Sequence, residues 1–365
     1  MTSVPAHQSS IAMRGAGYYS SNTVGAKAVI DAAADLVVGA IDQMDLSALS
    51  CPFTVADFGA ADGGTSMDLM RRVVGRVHLQ VPNKPVSITY TDLPTNDFSA
   101  LFGQLHDNEN SLGRLPNVFT FGSGTSFYRQ VLPDSSLTLG FSATAMHWLS
   151  RRPGLIEDHT HAVGGSPAEK SIFRSQSLQD WETILLARAA ELMPGGVLVL
   201  ANFSENENGH YLGWTGGANM HDSFARHWRG LFEAGALSRE EYRAAAFQQY
   251  YKTMDEFAAP FRDPGSAVSR AGLVLTHLSS RVTACPYAAD YARHGEARRF
   301  AKAYIPTLRS WSESTFLGAL DVSRPMAEKQ ALIDQFYDAY EADVAAHPEG
   351  HGMDYVHCFM VIEKC

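Results

Sequence analysis

His147 and Trp148 stand side by side after the apolar run Leu137–Phe141. Both rings carry nitrogens that donate hydrogen bonds, so a pair of this kind can fix the orientation of an anionic group. Taken singly, each residue reads more simply as core packing. Two acids hold a comparable position. Asp57 ends the apolar run that begins at Phe53, and small residues follow it: Gly59, Ala60, Ala61, Gly63 and Gly64. Asp92 ends the alternating stretch VSITYTD. At the end of a strand it can accept hydrogen bonds from two ribose hydroxyls, although an N-cap or turn residue is the simpler reading.

The elements that must position these side chains follow from the hydrophobic spacing. Phe53 to Phe58 reads as a buried strand, Gly59 to Gly64 as a tight turn, and Met67 to Val74 as a helix. Strand, glycine-rich turn and helix together open nucleotide-type folds, in which strand carboxyl ends face the ligand. The glycines at 59, 63 and 64 do not fit the dinucleotide pattern G-x-G-x-x-G, and the phosphate-cradling G-x-x-x-x-G-K-[ST] is absent. An acid before the turn repels pyrophosphate and attracts a cation. S-adenosylmethionine (SAM), which carries an amine and a sulfonium, is the ligand that fits. A plain buried strand with a tight turn remains the alternative reading of this stretch.

Further strands are expected at Phe119–Ser123, Val197–Phe203, Leu273–Leu278 and Tyr355–Ile362, and helices from Val24 to about Met44 and over about 172–193, the latter stopped by Pro194-Gly195-Gly196. The βα alternation lapses from about 204. The expected fold class is therefore α/β, a Rossmann-like sheet with a helical cap made by late insertions. The core is expected to hold residues 1–204, 266–284 and 341–365, and the cap residues 205–265 and 285–340. The glycine- and tyrosine-rich stretch 13–22 reads either as a lid or as a disordered leader. His159 and His161 have short metal-ligand spacing but lack a completing Cys, Asp or Glu pattern, so they are expected in a solvated loop with no metal.

The 365 residues are 45% hydrophobic and 19% charged, with a formal net charge of −10. That balance suits a globular enzyme with a small substrate and poorly suits a nucleic-acid binder. The four scattered cysteines form no C-x-x-C pair. No secretory signal pattern is present, and no run approaches the ~18 apolar residues of a membrane span. A cytoplasmic location is expected.

Together the motifs MRGAGYY with Asn22, ADFGAADGG, TDLPTNDF, GTSFYRQVLP, SATAMHWLS and PGGVLVL, in that order, resemble the SABATH family of SAM-dependent methyltransferases. The resemblance implies a class I SAM-methyltransferase fold, a homodimer, and methylation of the carboxyl group of a small acid; some members methylate ring nitrogens. It places Tyr19 and Thr23 at the lid over the cofactor, Asp57 with Gly59 near the methionine end of SAM, and Asp92 and Leu93 at ribose and adenine. Ser126 and Phe127 border the adenine. His147 and Trp148 become the substrate pair, with Trp148 donating to the carboxylate, while Thr144, Trp228 and Trp311 belong to the substrate pocket. The chain departs from the family at Ala26, where a carboxylate-binding Gln is common, and at Thr144, where a Tyr is common.

Carboxyl methylation needs no general base, because a carboxylic acid is already ionised at pH 7. Methylation of a heterocycle would need one, and His147 is the residue placed to serve. A non-catalytic SAM-binding protein is a third possibility.

Overall fold

A computed structural model describes residues 23–107 and 111–365. Its sheet is built from eight strands, with β1 (Phe53–Phe58), β2 (Val86–Thr91), β3 (Val118–Ser123), β4 (Leu137–Ala143) and β5 (Leu192–Glu205) running parallel. The strand order is β3-β2-β1-β4-β5-β8-β7, where β7 is Leu273–Thr283 and β8 is Tyr355–Lys364; β8 runs antiparallel to both of its neighbours. A two-residue strand, β6 (Lys252–Thr253), pairs with the end of β5. The order reverses between β1 and β4, and in open α/β sheets such a reversal opens a crevice at the strands' carboxyl ends. Asp57, Asp92 and the 144–148 segment all lie at that edge.

Both sheet faces are covered. On one face α1 (Val24–Asp42) and α2 (Met67–Gln80) bury Val29, Val37, Met70 and Val73 against Val55, Ile88 and Val199. On the other, α4 (Pro167–Glu191) buries Trp181, Ile184 and Leu185 against Phe58, Leu198 and Met360. The alternation of Val197 and Val199 with Leu198 and Leu200 between these two cores is the period-2 geometry of a strand buried on both sides. Between α2 and α4 lies α3 (Phe98–His106). After β5 come α5 (Met220–Glu233), α6 (Arg239–Ala244), α7 (Met254–Arg262) and the short α8 (Ala267–Arg270). After β7 come α9 (Pro286–His294), α10 (Ala297–Ala319) and α11 (Met326–Ala346). Phe224 of α5, Phe316 of α10 and Phe336 of α11 meet in one aromatic core. No described helix is long and apolar enough to cross a membrane.

Three local expectations change. The helix expected from 172 begins at Pro167, because Ser166 and Glu169 form a reciprocal capping box with proline at the first helical position. It ends at Glu191, so Pro194-Gly195-Gly196 does not stop a helix; those residues lie inside β5, where Gly195 takes φ +76° beside a register shift against β4. The His159–His161 loop is not solvated. The ring of His161 is fully buried, stacked 4.1 Å from His221 and 4.8 Å from Tyr251. His159 accepts the N–H of His161 and approaches Asp222 at 3.1 Å. Helix α5 and the strand leading to β6 cover this loop, which spacing along the chain did not show. Among the described residues no His, Cys, Asp and Glu cluster could hold a metal ion.

Candidate active site

The cofactor side is built by three turns locked to one another. Gly59, at φ +84°, follows β1, and a Cβ there would lie 2.4 Å from the Cβ of Ala145. Only glycine lets the turn after β1 and the turn after β4 approach so closely. The turn after β2 is tied to the same place. Asp92 accepts the N–H of Ala61 at 2.7 Å and that of Leu93 at 2.7 Å, while Asn96 donates to the Ala61 carbonyl at 2.8 Å.

Asp57 is buried and accepts the Ser66 hydroxyl at 2.6 Å. Burial pushes its carboxyl up to about 7; the Ser66 bond opposes the rise and the charge of Asp92 adds to it. Burial also raises Asp92, against its two backbone donors. A buried acid of this kind lacks a cation, and an amine or sulfonium supplies one.

Phe127 extends the cradle, its ring 3.8 Å from the place of a Gly59 Cβ and tilted against Tyr128. Its loop is clamped from below. Arg188, fully buried, donates to the carbonyls of Phe127 and Arg129 at 2.7 and 2.9 Å and pairs with Glu191 at 2.6 Å, and Glu191 accepts the N–H of Val131. Ser126, in the same segment, accepts the N–H of Tyr128 weakly at 3.4 Å. Taken together, a buried acid suited to a cationic group, a second acid suited to a diol and an aromatic edge fit SAM. Tyr19 and the expected lid lie outside the described residues, and Thr23 is the first residue after them.

Beside the cradle is a cavity of about 30 Å³. Thr144, His147 and Trp148 face it from the turn after β4, and Thr23 and Ala26 from the start of α1. Trp311 of α10 closes it, its indole Nε1 buried with no partner among the described residues. Phe203, Leu212, Met353 and Tyr355 complete the wall, and none of these four was singled out from the sequence. Phe203 sits at a strand's carboxyl end and so obeyed the rule that located His147. Met353 and Tyr355 reach this edge only because β8 runs antiparallel. Gly25 is required beneath them, since a Cβ there would lie 2.1 Å from the Tyr355 ring.

Trp228 does not line the cavity. It is fully buried between Phe316 and Phe336, and its indole donates to the Tyr242 carbonyl at 3.2 Å. A second hollow, about 750 Å³, lies at the opposite end of the sheet, against Gly39, Thr138, Pro194 and Glu363, and shares no lining residue with the cavity.

His147 is held by a hydrogen bond from the Tyr250 N–H to its carbonyl at 3.2 Å and by an edge-on contact with Phe203 at 4.7 Å. Its Nδ1 is buried without a partner among the described residues. Burial, then the charges of His357, Lys252 and His221, holds its pKa well below the ordinary imidazole value, so the ring is neutral at pH 7. Thr144 takes φ +55°, a strained conformation for a β-branched residue, and its N–H is bonded to the Ala201 carbonyl. Among the described residues the cavity wall holds neither a lysine or arginine nor an aspartate or glutamate.

The comparisons with known proteins agree with this geometry. A family model of SAM-dependent carboxyl methyltransferases matches residues 8–365. Loganic acid O-methyltransferase of Catharanthus roseus is 26% identical over 65% of this chain and 67% of its own length. The O-methyltransferase acrG of Aspergillus aculeatus is 25% identical over 96% of both chains. The solved structure of a loganic acid methyltransferase with SAH superposes with a TM-score of 0.74 at 20% identity, covering 97% of this chain and 98% of that one, and so shares the fold. With a matching family model over almost its whole length, the chain belongs to the SABATH family of SAM-dependent carboxyl methyltransferases, and SAM is its cofactor.

Proposed function

We propose that the enzyme methylates the carboxylate of a small monocarboxylic acid with an apolar body, giving its methyl ester, and that His147 and Trp148 are the residues that hold the reacting group. The observation that carries this reading is the cavity wall. Two tryptophans and a neutral histidine supply N–H donors, and the remaining wall among the described residues is apolar or uncharged, so a second carboxylate meets no cation there. The bound cofactor supplies a methyl group on a sulfonium. The protein strips water from the carboxylate and holds one oxygen in line for attack, and such positioning is worth roughly 7–11 kcal/mol. Trp148 and Trp311 donate their indole N–H groups without taking the charge away. Thr144 sets the wall beside them. Asp57, Gly59, Asp92, Leu93, Ser126 and Phe127, with Tyr19 and Thr23 from the lid side, hold the cofactor.

The depressed pKa of His147 weighs against heterocycle methylation, because a group so reluctant to take a proton is a poor general base. The reading further includes a cytoplasmic homodimer without nucleic-acid or membrane partners.

The test is turnover with methyl-labelled SAM on benzoate, phenylacetate, hexanoate and succinate, each beside its primary amide, scored as extractable ester. Esters from the monocarboxylic acids and nothing from amides are expected, with Trp148→Ala losing at least a hundredfold, about 2.7 kcal/mol of transition-state positioning. Full turnover in Trp148→Ala would remove that residue from the mechanism, and turnover of an amide would remove the carboxylate.

A further inference from the structure

On the carboxylate reading the pocket poses an electrostatic problem: it must bury an anion, and among the described residues its wall offers no cationic side chain. One buried cation lies behind that wall. Lys252 is 1% exposed and sits in β6, held by the pairing of Lys252 with Ser204 at the end of β5. Two residues earlier, the Tyr250 N–H donates to the His147 carbonyl, so a short stretch of backbone links the lysine to the His-Trp pair. The Lys252 ammonium rests over the rings of Phe257 at 5.2 Å and Trp181 at 5.9 Å. Asp180 and Glu256 act on it through space, with no hydrogen bond between them and the lysine.

Both acids are already engaged elsewhere. Asp180 accepts the N–H and the hydroxyl of Ser150 and the amide of Gln176. Glu256 pairs with Arg174 and accepts the Thr253 N–H. The charge of Lys252 is felt at His147, on the cavity wall. Burying a lysine costs free energy unless its charge is used; here Glu256 is paired with Arg174, and Asp180, bonded to the neutral donors of Ser150 and Gln176, offsets the lysine only through space.

We infer that Lys252 is a positioning residue whose buried ammonium supplies the counter-charge for the substrate carboxylate, acting across the His147 wall without touching the substrate. The inference rests on the carboxylate reading above. Methyl transfer cancels the charges of carboxylate and sulfonium, so a fixed cation favours the bound anion more than the transition state. Its removal therefore raises KM and leaves kcat equal or higher.

The charge also titrates. Burial presses Lys252 down to about 8. The groups facing it are Asp180 from α4, Glu256 from α7, Cys358 from β8 and His147 from the turn after β4; Glu205 adjoins at the end of β5, its carboxyl raised by burial. The Cys358 thiol is held protonated by its own burial.

The experiment compares wild type with Lys252→Met, which keeps the volume and removes the charge, and with Lys252→Arg, which keeps the charge. For the best acid of the turnover panel and for its primary amide as inhibitor, KM, kcat and Ki are measured from pH 6.5 to 9.5. In Lys252→Met the KM for the acid is expected to rise about tenfold, the weight of one charge acting through protein. Its kcat is expected to hold or increase, and the amide Ki to stay unchanged. The wild-type KM for the acid rises as the pH passes about 8, that rise is absent in Lys252→Met, and Lys252→Arg keeps the low KM at every pH. An unchanged acid KM in Lys252→Met, or equal losses for acid and amide, overturns the inference and leaves the carboxylate reading standing. Absence of turnover on every acid overturns both.

Discussion

Asp57 is where the chemistry of the site is also a stability statement. Its carboxyl takes up a proton on folding, with the value raised from 3.8 to about 7. Across that window the ligand-free folded state binds more protons than the unfolded chain, so stability falls as pH rises, by about 1.4 kcal/mol for each pH unit crossed. Above about 7 the acid is ionised and ready for a cation. Asp57→Asn is therefore expected to make the ligand-free protein more stable than wild type at pH 8 and no more stable near pH 3.5, while weakening SAM binding at least tenfold. Melting curves with and without SAM check this, and a ligand-free variant that melts below wild type at pH 8 sinks it. The strain at Thr144 works the same way at smaller scale: a left-handed β-branched residue is tolerated because its backbone N–H is fixed to Ala201 and its side chain is needed at the cavity.

At the scale of elements, helix α4 serves the cofactor from a distance. The Arg188–Glu191 pair is wholly buried, stacks its guanidinium 4.1 Å from the centre of the Phe58 ring and spends its remaining hydrogen bonds on the loop that carries Phe127. Arg188→Met strands Glu191 in the interior, at about 3–5 kcal/mol, and frees that loop. The expected signature is a raised KM for SAM with the acid KM unchanged, measured well below the variant's melting temperature; equal changes in both constants would show that the pair does no more than stabilise the core.

The elements also show what was legible in the chain. That Asp57, Gly59, Asp92 and the His-Trp pair share one edge is readable because strand ends in a parallel sheet converge there, and each sits at the end of an apolar run. The expected start of α4 falls five residues late because its capping box, Ser166-x-x-Glu169, lies ahead of the apolar spacing that marks the helix. Trp228 was misplaced and Tyr355 missed for a related reason. Which face of a helix turns toward a pocket, and which way the last strand runs, are set by packing between segments far apart in the chain. His161 shows the same limit: the rings stacked on it come from residues 221 and 251.

For the whole molecule, the position of β8 matters most. It lies between β5 and β7, and it brings Tyr355 to the substrate wall while Cys358, Met360 and Ile362 fill the core against α4. During synthesis β5 and β7 are both finished well before it, yet β5 has only its β4 side paired and β7 has no strand beside it until residues 355–364 have cleared the ribosome. Until then β5 presents a long, apolar, unpaired edge, the kind that templates wrong pairings between chains. Ribosome-stalled chains ending near residue 350 are accordingly expected to be cut rapidly by protease and to bind a holdase chaperone. Chains extended past 365 by a linker long enough to clear the tunnel are expected to be protected; protection of the shorter chain would show that the sheet closes without its inner strand. The order in which this enzyme is made thus leaves the wall of its candidate site, and the seam of its sheet, to the same late moment.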